Sequence, residues 1–347
     1  MTAKIGGMPL PSIEEVLSGA FVVRLPMRVR FRGLDVREAV LLRGPHGWAE
    51  FAPFPEYDDD EASRWLAAAL TSGWEPHVPA RREVVPVNAT VPAVEAANVR
   101  AVLSRFPGCT TVKVKVAEAG QDLRQDVDRV AAVVDAIGPG VRIRVDANGA
   151  WSVPDAVDAL RAIAAVCAAA TFEYAEQPCA TLDDLAALRL ALARAGVDVP
   201  VAADESVRKA DDPLRVAVAG AADVVLLKVA PLGGVRAALE VAQVLGADHG
   251  LPVVVSSALD TSVGIAAGVE LAAALPDLPY ACGLATVGLL ARDVATHPLV
   301  AVAGALSAQS ARELAVDEAA LTELAAPADV AEQWRERIRR CHARISA

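Results

Sequence analysis

Cysteine is scarce in this sequence and never occurs in the close pairs that bind zinc or build disulfide frameworks. The chain has 347 residues and five cysteines, without a single CxxC pair. This spacing argues against a disulfide-stapled fold and against a cysteine-based zinc site. We expect the cysteines to be reduced and mostly packed in the interior. They are Cys109, Cys167, Cys179, Cys282 and Cys341.

Long apolar runs and blocks of positive charge are also missing. The longest apolar runs are rich in alanine and are interrupted by Asp, Arg or Gly, so none reaches the roughly 18–20 residues that span a bilayer. The opening MTAKIGGMPLPSIEEVLSG lacks the basic, apolar and small-residue sections of a signal peptide. A formal net charge of −11 disfavours binding to nucleic acid or anionic membranes. We therefore expect a cytoplasmic protein, a monomer or small homo-oligomer, whose partner is a small molecule.

The sequence does contain enough apolar material for a large core. Hydrophobic residues make up 54% of the chain, and its length suggests about two domains. In the first part, GAFVVRLPM, VREAVLLRG and WAEFAPF predict antiparallel strands, and a helix is expected after the acidic EYDDDEAS. This part is predicted to be a small α+β domain.

Short strand-like runs recur from Val84 onward, each followed by a helix-length segment. They are VVPVNATV, TVKVKV, RIRVDAN, FEYAEQP, VPVAADES, DVVLLKVAP, PVVVSSALD and YACGLAT. Charged markers in five consecutive runs lie 24 to 31 residues apart, which is the length of one strand plus one crossover helix. Eight such units predict a barrel, and the unusual segment GLLARDVATHPL after the last run favours a (β/α)7β form. A doubly wound open sheet is the alternative, although no Gly-rich dinucleotide fingerprint is present.

The predicted α/β fold therefore has three parts. Residues 1–83 form an α+β capping domain, residues 84–290 form a (β/α)7β TIM-like barrel, and residues 291–347 return to complete the capping domain. In such barrels the catalytic groups lie at the carboxyl ends of the strands and in the loops beyond them. The functional residues are therefore sought at the ends of the eight runs.

Acidic residues stand at three successive predicted strand ends. They are Asp146, Glu176 and Asp204, in VDAN, EQP and ADES. Carboxylates held close together repel one another, so they must take up protons or share a cation. Oxygen ligands suit Mg²⁺, with Mn²⁺ as an alternative. Each acid is also explained if it merely caps a helix or stays solvated, but three in succession favour a shared metal ion.

Lysines lie on the predicted strands to either side of these acids. The valines of TVKVKV form one face of a strand, so Lys113 and Lys115 share the other face and point into the barrel, as Lys228 does from across it. Burial and a neighbouring positive charge both favour a neutral lysine, which is able to act as a base. The alternative is that the lysines only pair with the acids in a polar layer. A base, a metal ion and an opposing amine are suited to removing a proton next to a carboxylate, with the resulting enediolate stabilised by positive charge.

Histidine does not offer a competing chemistry at these positions. All five histidines fall outside the predicted strand ends, which counts against His-containing triads, His-ligated zinc and a histidine base. They are His46, His77, His249, His297 and His342.

The motifs KVK, VDAN, EQP, ADES and LLKVAPLGG, in this order, resemble the muconate-lactonizing branch of the enolase superfamily across the whole barrel. Within that branch, RFRG, VREAVLLRGPHGWAEFAPFPEYDDDEA and PVNATVPA resemble the o-succinylbenzoate synthase family of actinobacterial type. The resemblance implies a carbon–oxygen lyase. Its reaction is the Mg²⁺-dependent dehydration of 2-succinyl-6-hydroxy-2,4-cyclohexadiene-1-carboxylate to o-succinylbenzoate in menaquinone biosynthesis.

The resemblance also implies roles for individual residues. Lys115 would remove the proton and then, as an ammonium group, help hydroxide to leave, while Lys113 would favour the neutral form of Lys115. Lys228 would stabilise the enediolate, through a cation–π contact with the substrate ring. The three metal ligands would be Asp146, Glu176 and Asp204.

Further candidates are expected around this centre. Asn148 would contact the metal site or the substrate. Glu205 would orient the metal ligands without binding the metal itself. Ser256, Ser257 and Gly283 would bind the succinyl carboxylate through hydroxyl or backbone N–H groups, with ordinary loop capping as the alternative.

The capping domain supplies a second group of candidates. Arg28 is the preferred contact to a substrate carboxylate, with Arg30 and Arg32 in the same predicted loop, and any of these arginines is also explained as a solvated surface residue. Phe51 and Phe54 would line the apolar side of the pocket or pack the capping domain.

Two rival functions remain open. An N-acylamino-acid racemase or dipeptide epimerase of the same superfamily would also use Lys115 and Lys228 on opposite sides of the substrate, and neither fold nor metal site separates these chemistries. A non-catalytic barrel that serves as a binding module is a third hypothesis. The buried charges argue against it, because keeping them without a use is costly.

Overall fold

The computed structural model of the chain describes residues 4–168, 170–208 and 214–346. Its strands are β1 (Lys4–Ile5), β2 (Met8–Pro9), β3 (Ala20–Phe31), β4 (Leu34–Arg43), β5 (Trp48–Phe51), β6 (Val84–Pro86), β7 (Ala89–Val91), β8 (Thr111–Lys115), β9 (Arg142–Asp146), β10 (Thr171–Glu176), β11 (Val201–Ala203), β12 (Val224–Leu227), β13 (Val253–Val255) and β14 (Ala305–Ser307). Its α-helices are α1 (Ile13–Ser18), α2 (Asp59–Trp74), α3 (Val99–Leu103), α4 (Leu123–Ile137), α5 (Val153–Val166), α6 (Leu182–Ala195), α7 (Glu205–Arg208), α8 (Arg215–Val218), α9 (Val235–His249), α10 (Ser262–Ala274), α11 (Ala308–Arg312), α12 (Glu318–Glu323) and α13 (Ala328–Ser346). Two 3₁₀ turns cover Ala96–Asn98 and Thr286–Leu289.

The capping domain is built on an antiparallel sheet in the order β3-β4-β5, with α2 packed against it. Helix α2 begins at Asp59, within the acidic EYDDDEAS rather than after it as predicted, because the Asp58 carboxylate accepts from the backbone N–H groups of Asp60 and Glu61. Acidic residues in the first turn also interact favourably with the helix dipole. Its apolar face is buried on the sheet through Trp65, Leu66 and Leu70.

The C-terminal helix α13 completes this domain. Trp334, Ile338 and Cys341 are buried in the same apolar cluster as the residues of α2 and β5. Trp334 packs edge-on against Phe51 with ring centroids 5.8 Å apart, and its indole N–H donates to the carboxylate of Glu38 at 2.9 Å. The expected return of the chain to the capping domain is confirmed, whereas the boundaries at residues 83 and 290 stay a prediction.

Seven strands form one parallel sheet, in the sequential order β7 through β13. Helices of the intervening segments cover its outer face, and their start signals are visible in the sequence. Asp122 and Gln125 form a reciprocal capping box at α4, and Ser152 and Thr181 cap α5 and α6. The expected TIM-like barrel with an N-terminal capping domain is confirmed.

The eighth strand is reduced to two bridges that close the barrel. Cys282 pairs with Val87 beside β7, and Gly283 pairs with Ser256 beside β13, both in parallel. A Cβ atom on Gly283 would lie 2.7 Å from the Ser256 hydroxyl oxygen, so glycine permits this close approach. The run YACGLAT therefore takes the position of the predicted eighth strand, although it forms only these two bridges.

Two other expectations concern the whole chain. All five cysteines are free thiols in buried positions, as predicted. Among the described residues, no helix combines the length and the apolar character that crossing a membrane requires.

The packing of α13 makes a stability prediction. Ile338 is fully buried, so we expect Ile338→Ala to lower the free energy of unfolding by about 2–4 kcal/mol, because it leaves a cavity in the capping domain. Arg339 on the exposed face of the same helix pairs with Glu332 and Glu336 at the surface, and Arg339→Ala should leave the stability nearly unchanged. Urea unfolding would measure both, and equal effects would contradict the packing described for α13.

Candidate active site

The parallel register brings the predicted acids and the lysines together. Lys115 at the end of β8 is directly paired with Asp146 on β9, and Asp146 is paired with Glu176 on β10. Glu176 is in turn paired with Ala202 on β11, two residues before Asp204. Because side chains opposite one another in register point to the same side of a sheet, this row of charges faces the barrel interior.

Lys113 and Lys115 are held by these acids. The Lys113 ammonium donates to Asp146 Oδ2 at 2.9 Å and to Glu176 Oε1 at 2.7 Å. The Lys115 ammonium donates to the same Asp146 oxygen at 2.5 Å. Both lysines are at most 9% exposed and both acids at most 1%. The cost of burying two ammonium groups is therefore offset by charged partners at hydrogen-bonding distance.

Lys228 faces them from the other side of the barrel. It follows β12, which lies four strands away from β8 in the sheet order. Its ammonium donates to Asp204 Oδ1 at 2.6 Å. Lys115 and Lys228 both line one cavity at the carboxyl ends of the strands. A molecule in this cavity would be flanked by an amine on either side.

The charges perturb one another strongly. Burial favours the protonated form of Asp146, but Lys113 and Lys115 outweigh it and hold its pKa well below the usual range. Burial, followed by the charge of Asp146, raises the pKa of Glu176 to about 8. Burial opposes the charge of Lys113, yet Asp146 and Glu176 raise its pKa overall. The three acids of the site are matched by three lysines, so that their formal charges balance.

The donor set is suited to a hard divalent cation. Glu176 Oε2 is buried and accepts no hydrogen bond from any residue that the structure describes, and the three acids supply oxygen ligands alone. Among residues 4–168, 170–208 and 214–346, however, no three His, Cys, Asp or Glu side chains are spaced as a formed metal centre. Ammonium groups lie between the carboxylates instead. The residue types fit a metal ion, and their present conformation pairs them with lysines.

Asn148 and Glu205 extend the polar network. The Asn148 side-chain oxygen accepts from Lys115 at 2.7 Å, and its amide nitrogen donates to Glu205 Oε1 at 3.1 Å. The backbone N–H of Asn148 donates to the second carboxylate oxygen of Asp146, Oδ1, at 3.1 Å. Asn148 has a φ of +47°, a conformation that asparagine tolerates better than most residues. The turn after β9 thus aims this side chain at Lys115.

The later strand ends form the opposite wall. Ser256, Ser257 and Gly283 all line the cavity, as the sequence predicts. The Ser257 hydroxyl is already engaged, since it donates to the Gly283 carbonyl at 2.8 Å and lies 2.9 Å from the Thr286 hydroxyl. Of the two serines, Ser256 is the one whose hydroxyl has none of these contacts.

The arginines of the capping loop differ in position. Arg28 donates to the backbone carbonyls of Leu290 and Ala291 and does not line the cavity, because β3 leaves its pairing with β4 here and approaches that segment. Arg30 is exposed beside Asp35 at 3.6 Å. Arg32 does line the cavity, with its guanidinium 4.4 Å from the centre of the Phe54 ring. Of these three arginines, Arg32 at the hairpin tip is the one that lines the cavity, and a substrate contact by Arg28 stays a prediction.

The two expected pocket phenylalanines pack elsewhere. Phe51 is fully buried in the core of the capping domain, and Phe54 lies in the same core beneath the Arg32 guanidinium. Phe31 lines the cavity instead, with its ring centre 5.2 Å from the Lys115 nitrogen.

Comparison with known proteins places this geometry in a family. The model "Enolase C-terminal domain-like" matches residues 95–313, and "Enolase N-terminal domain-like" matches residues 22–73. The chain belongs to the enolase superfamily. A protein named o-succinylbenzoate synthase from Mycolicibacterium smegmatis is 53% identical over 336 residues, covering 97% of this chain and 99% of that protein. A protein of the same name from Mycobacterium tuberculosis is 51% identical, and the match covers 96% of this chain and 96% of that protein. Another from Mycobacterium ulcerans is 52% identical, and the match covers 95% of both.

Solved structures of enolase-superfamily enzymes share the fold. Muconate lactonizing enzyme from Pseudomonas fluorescens, in complex with muconolactone, gives a TM-score of 0.73 at 20% identity, covering 88% of this chain and 98% of that one. The 2-chloromuconate cycloisomerase from Rhodococcus opacus gives 0.69 at 24% identity, covering 89% and 98%. At this level of identity the likeness concerns the fold alone.

Several residues that lie at this site were not predicted from the sequence. Thr90 on β7 and Thr286 line the cavity, and the Gln177 side-chain oxygen accepts from the backbone N–H of Asp204 at 2.9 Å. Gln177 stands directly after Glu176 in the EQP motif, so its position was a signal for a supporting role. Threonine at a strand end carries no comparable signal, because it is also a common strand residue.

Proposed function

We propose that the chain catalyses the dehydration of 2-succinyl-6-hydroxy-2,4-cyclohexadiene-1-carboxylate to o-succinylbenzoate in menaquinone biosynthesis. The observation that carries the proposal is the buried row of Lys115, Asp146 and Glu176, which faces Lys228 across one cavity. The near full-length similarity to proteins named o-succinylbenzoate synthase supports the same reaction. A cytoplasmic location and action as a monomer or small homo-oligomer remain part of this proposal.

We propose Asp146, Glu176 and Asp204 as the ligands of Mg²⁺. The oxygen-only donor set and Glu176 Oε2, which accepts no hydrogen bond from the described residues, support the assignment. When bound, Mg²⁺ supplies positive charge that offsets the charge developing on the substrate carboxylate during proton removal. Mn²⁺ would satisfy the same oxygen donors.

Lys115 is the proposed base. In its neutral form it takes the ring proton next to the substrate carboxylate, and the electron pair left on carbon moves toward that carboxylate. The resulting ammonium then returns the proton to the hydroxyl on the neighbouring carbon. The C–O bond breaks, water leaves, and the ring becomes aromatic. One residue thus serves as base and then as acid on one side of the ring.

Lys228 and Lys113 act through their charge. The Lys228 ammonium faces the ring from the side opposite Lys115 and favours the electron-rich intermediate over the neutral substrate. Lys113 remains bound to the two carboxylates, so that its positive charge lies close to Lys115 without touching the substrate.

The remaining polar groups orient the substrate. Arg32 from the capping hairpin and the wall formed by Ser256 and Gly283 are the proposed contacts of the succinyl carboxylate. Asn148 holds Lys115 in place through its side-chain oxygen. Phe31 covers the base and excludes water, which strengthens every electrostatic interaction inside the cavity.

The role of Lys115 makes a kinetic prediction. We expect Lys115→Ala to slow the loss of the cyclohexadiene absorbance about 10³-fold or more, because Lys228, the amine that faces Lys115 in the cavity, lies on the opposite side of the ring. The fold should remain intact by circular dichroism. Lys4→Ala, at an exposed lysine of the N-terminal strand, is the matched control and should match the wild type. An active Lys115→Ala enzyme would overturn the assignment of the base.

The metal site makes a prediction that does not depend on turnover. Mg²⁺ added to EDTA-treated protein should raise its Tm, because a ligand that binds only the native state stabilises it. Glu176→Gln should lose most of this shift, since an amide is a poorer ligand for a hard cation. Glu118→Gln, at an exposed glutamate after β8, should keep it. An unchanged shift in Glu176→Gln would place Mg²⁺ elsewhere.

The opposed positions of Lys115 and Lys228 also favour a second candidate function, the racemisation of N-acyl amino acids or the epimerisation of dipeptides. Two amines on opposite sides of a carbon are able to remove a proton from one face and return it to the other. If this activity exists, N-succinyl amino acids incubated with the enzyme in D₂O should gain deuterium at the α-carbon, as detected by NMR. Complete absence of exchange would exclude the candidate.

A further inference from the structure

One wall of the catalytic cavity is held from the capping domain by two charged residues, Arg37 on β4 and Glu50 on β5. We propose that these are positioning residues of the reaction: they hold residues 256–261, here called the wall segment, in the shape that the substrate requires. The catalytic part of this inference rests on the proposed function, whereas the mechanical part does not.

The wall segment connects the barrel strand β13 to helix α10. Ser256, Ala258 and Leu259 face the same cavity as Lys115 and Lys228. Leu259 has a φ of +63°, which is unfavourable for a residue with a branched side chain. A conformation of this kind persists only where surrounding contacts impose it. The residues that make these contacts therefore determine the conformation of the cavity wall.

Arg37 contacts the backbone of this segment directly. It is 2% exposed, and its Nε donates to the Leu259 carbonyl at 3.3 Å. Its Nη2 donates to the carbonyl of Ala52 in the capping domain and lies 3.5 Å from the carbonyl of Ala258. The guanidinium also lies 4.4 Å from the centre of the Phe54 ring. One side chain thus joins the capping domain to the cavity wall.

Glu50 binds the other end of the wall segment. Its carboxylate accepts from the Thr261 backbone N–H at 3.0 Å, from the Thr261 hydroxyl at 2.5 Å and from the Gly264 N–H at 3.2 Å. These are donors at the start of α10, so a residue of the capping domain caps a barrel helix. A Cβ on Gly264 would lie 3.1 Å from Glu50 Oε2 and 2.7 Å from the Asp260 Cβ. Glycine leaves the space that the carboxylate occupies.

The two anchors are electrostatically linked through Asp260. Burial and then the charge of Asp260 raise the pKa of Glu50 to about 8, while Arg37 lowers it. Burial also raises the pKa of Asp260, and Arg37 again opposes the shift. Removing Arg37 would therefore leave two neighbouring acids without their nearest described counter-charge. Both ends of the wall segment would be loosened together.

This arrangement predicts a specific kinetic signature. The anchors touch neither the proposed base nor the proposed metal ligands, so loosening them should leave the chemical groups in place and change the fit of the substrate. We expect an increase in KM with a smaller effect on kcat. A residue that matters only for stability would lower the amount of folded enzyme and leave KM unchanged.

The first test follows the wall segment itself by hydrogen–deuterium exchange of the full-length protein. Arg37→Lys keeps the charge but loses the planar donor fork, and Glu50→Gln keeps the size but replaces one acceptor oxygen by an amide NH₂ group that only donates. Both should speed exchange of residues 256–261 at least threefold. Arg24→Lys is the matched control, because Arg24 lies on β3 of the same sheet and pairs at its surface with Glu38. Unchanged exchange in both anchor variants would overturn the inference, whatever the enzyme catalyses.

The second test links this motion to turnover. Arg37→Lys should raise KM about tenfold and change kcat less than threefold, while Arg24→Lys matches the wild type. In a double-mutant cycle, Arg37→Lys and Ser256→Ala should be non-additive in kcat/KM by at least threefold, because both act on one wall. Arg37→Lys and Asn148→Ala, on the opposite wall, should be additive. Faster exchange with unchanged KM, or additivity in both cycles, would show that the anchors do not position the substrate. An inactive wild type would refute the proposed function and leave the exchange result standing.

Discussion

The fold depends on a parallel register that sets Lys115, Asp146 and Glu176 side by side at the ends of three neighbouring strands. A shift of one residue in any of these strands would send a charge to the outer, apolar side of the sheet. The burial of such charges is tolerated because ammonium and carboxylate groups alternate at hydrogen-bonding distance. A second buried charge, Arg144, lies two residues before Asp146 on the same strand and is also paired. Its guanidinium donates to Glu173 at 2.7 Å and to Asn88 at 3.0 Å inside the barrel. The centre of this barrel is thus ordered by paired charges as well as by apolar packing.

Much of this centre could be predicted from the sequence. The lysines alternate with valines, and the acids stand at regularly spaced strand ends. Both patterns predict that these side chains lie close together, because the carboxyl ends of parallel barrel strands meet at one face. Arg144 is on the same face of its strand as Asp146, so alternation alone would have placed it inside the barrel. The hairpin tip was also recoverable, since Arg32 and Gly33 occupy a two-residue turn with positive φ between Phe31 and Leu34. That turn carries Arg32 over the cavity, whereas Arg28 stays with a neighbouring segment.

Other features could not be predicted from local patterns. The reduction of the eighth strand to two bridges is one such feature. The close approach of Gly283 to Ser256 joins residues that are far apart in sequence, so no local pattern indicates it. The burial of Arg37 and the capping of α10 by Glu50 arise only when two domains meet. Both residues lie in the stretch VREAVLLRGPHGWAEFAPFPEYDDDEA, which carries the family resemblance but no local signal of a contact between domains. A strand arginine is ordinarily read as a surface residue. Contacts between domains were therefore the part of the site that alternation and spacing could not reveal.

The return of α13 to the capping domain has a consequence for biosynthesis. The indole of Trp334 packs on Phe51, although the whole barrel lies between them in the chain. A ribosome needs on the order of tens of seconds to cover this distance. During that interval the apolar cluster formed by the sheet and α2 lacks α13 and is open to non-native contacts. The sheet of the capping domain is therefore synthesised before the barrel and covered in full only after it, which makes nascent-chain protection most important at this sheet.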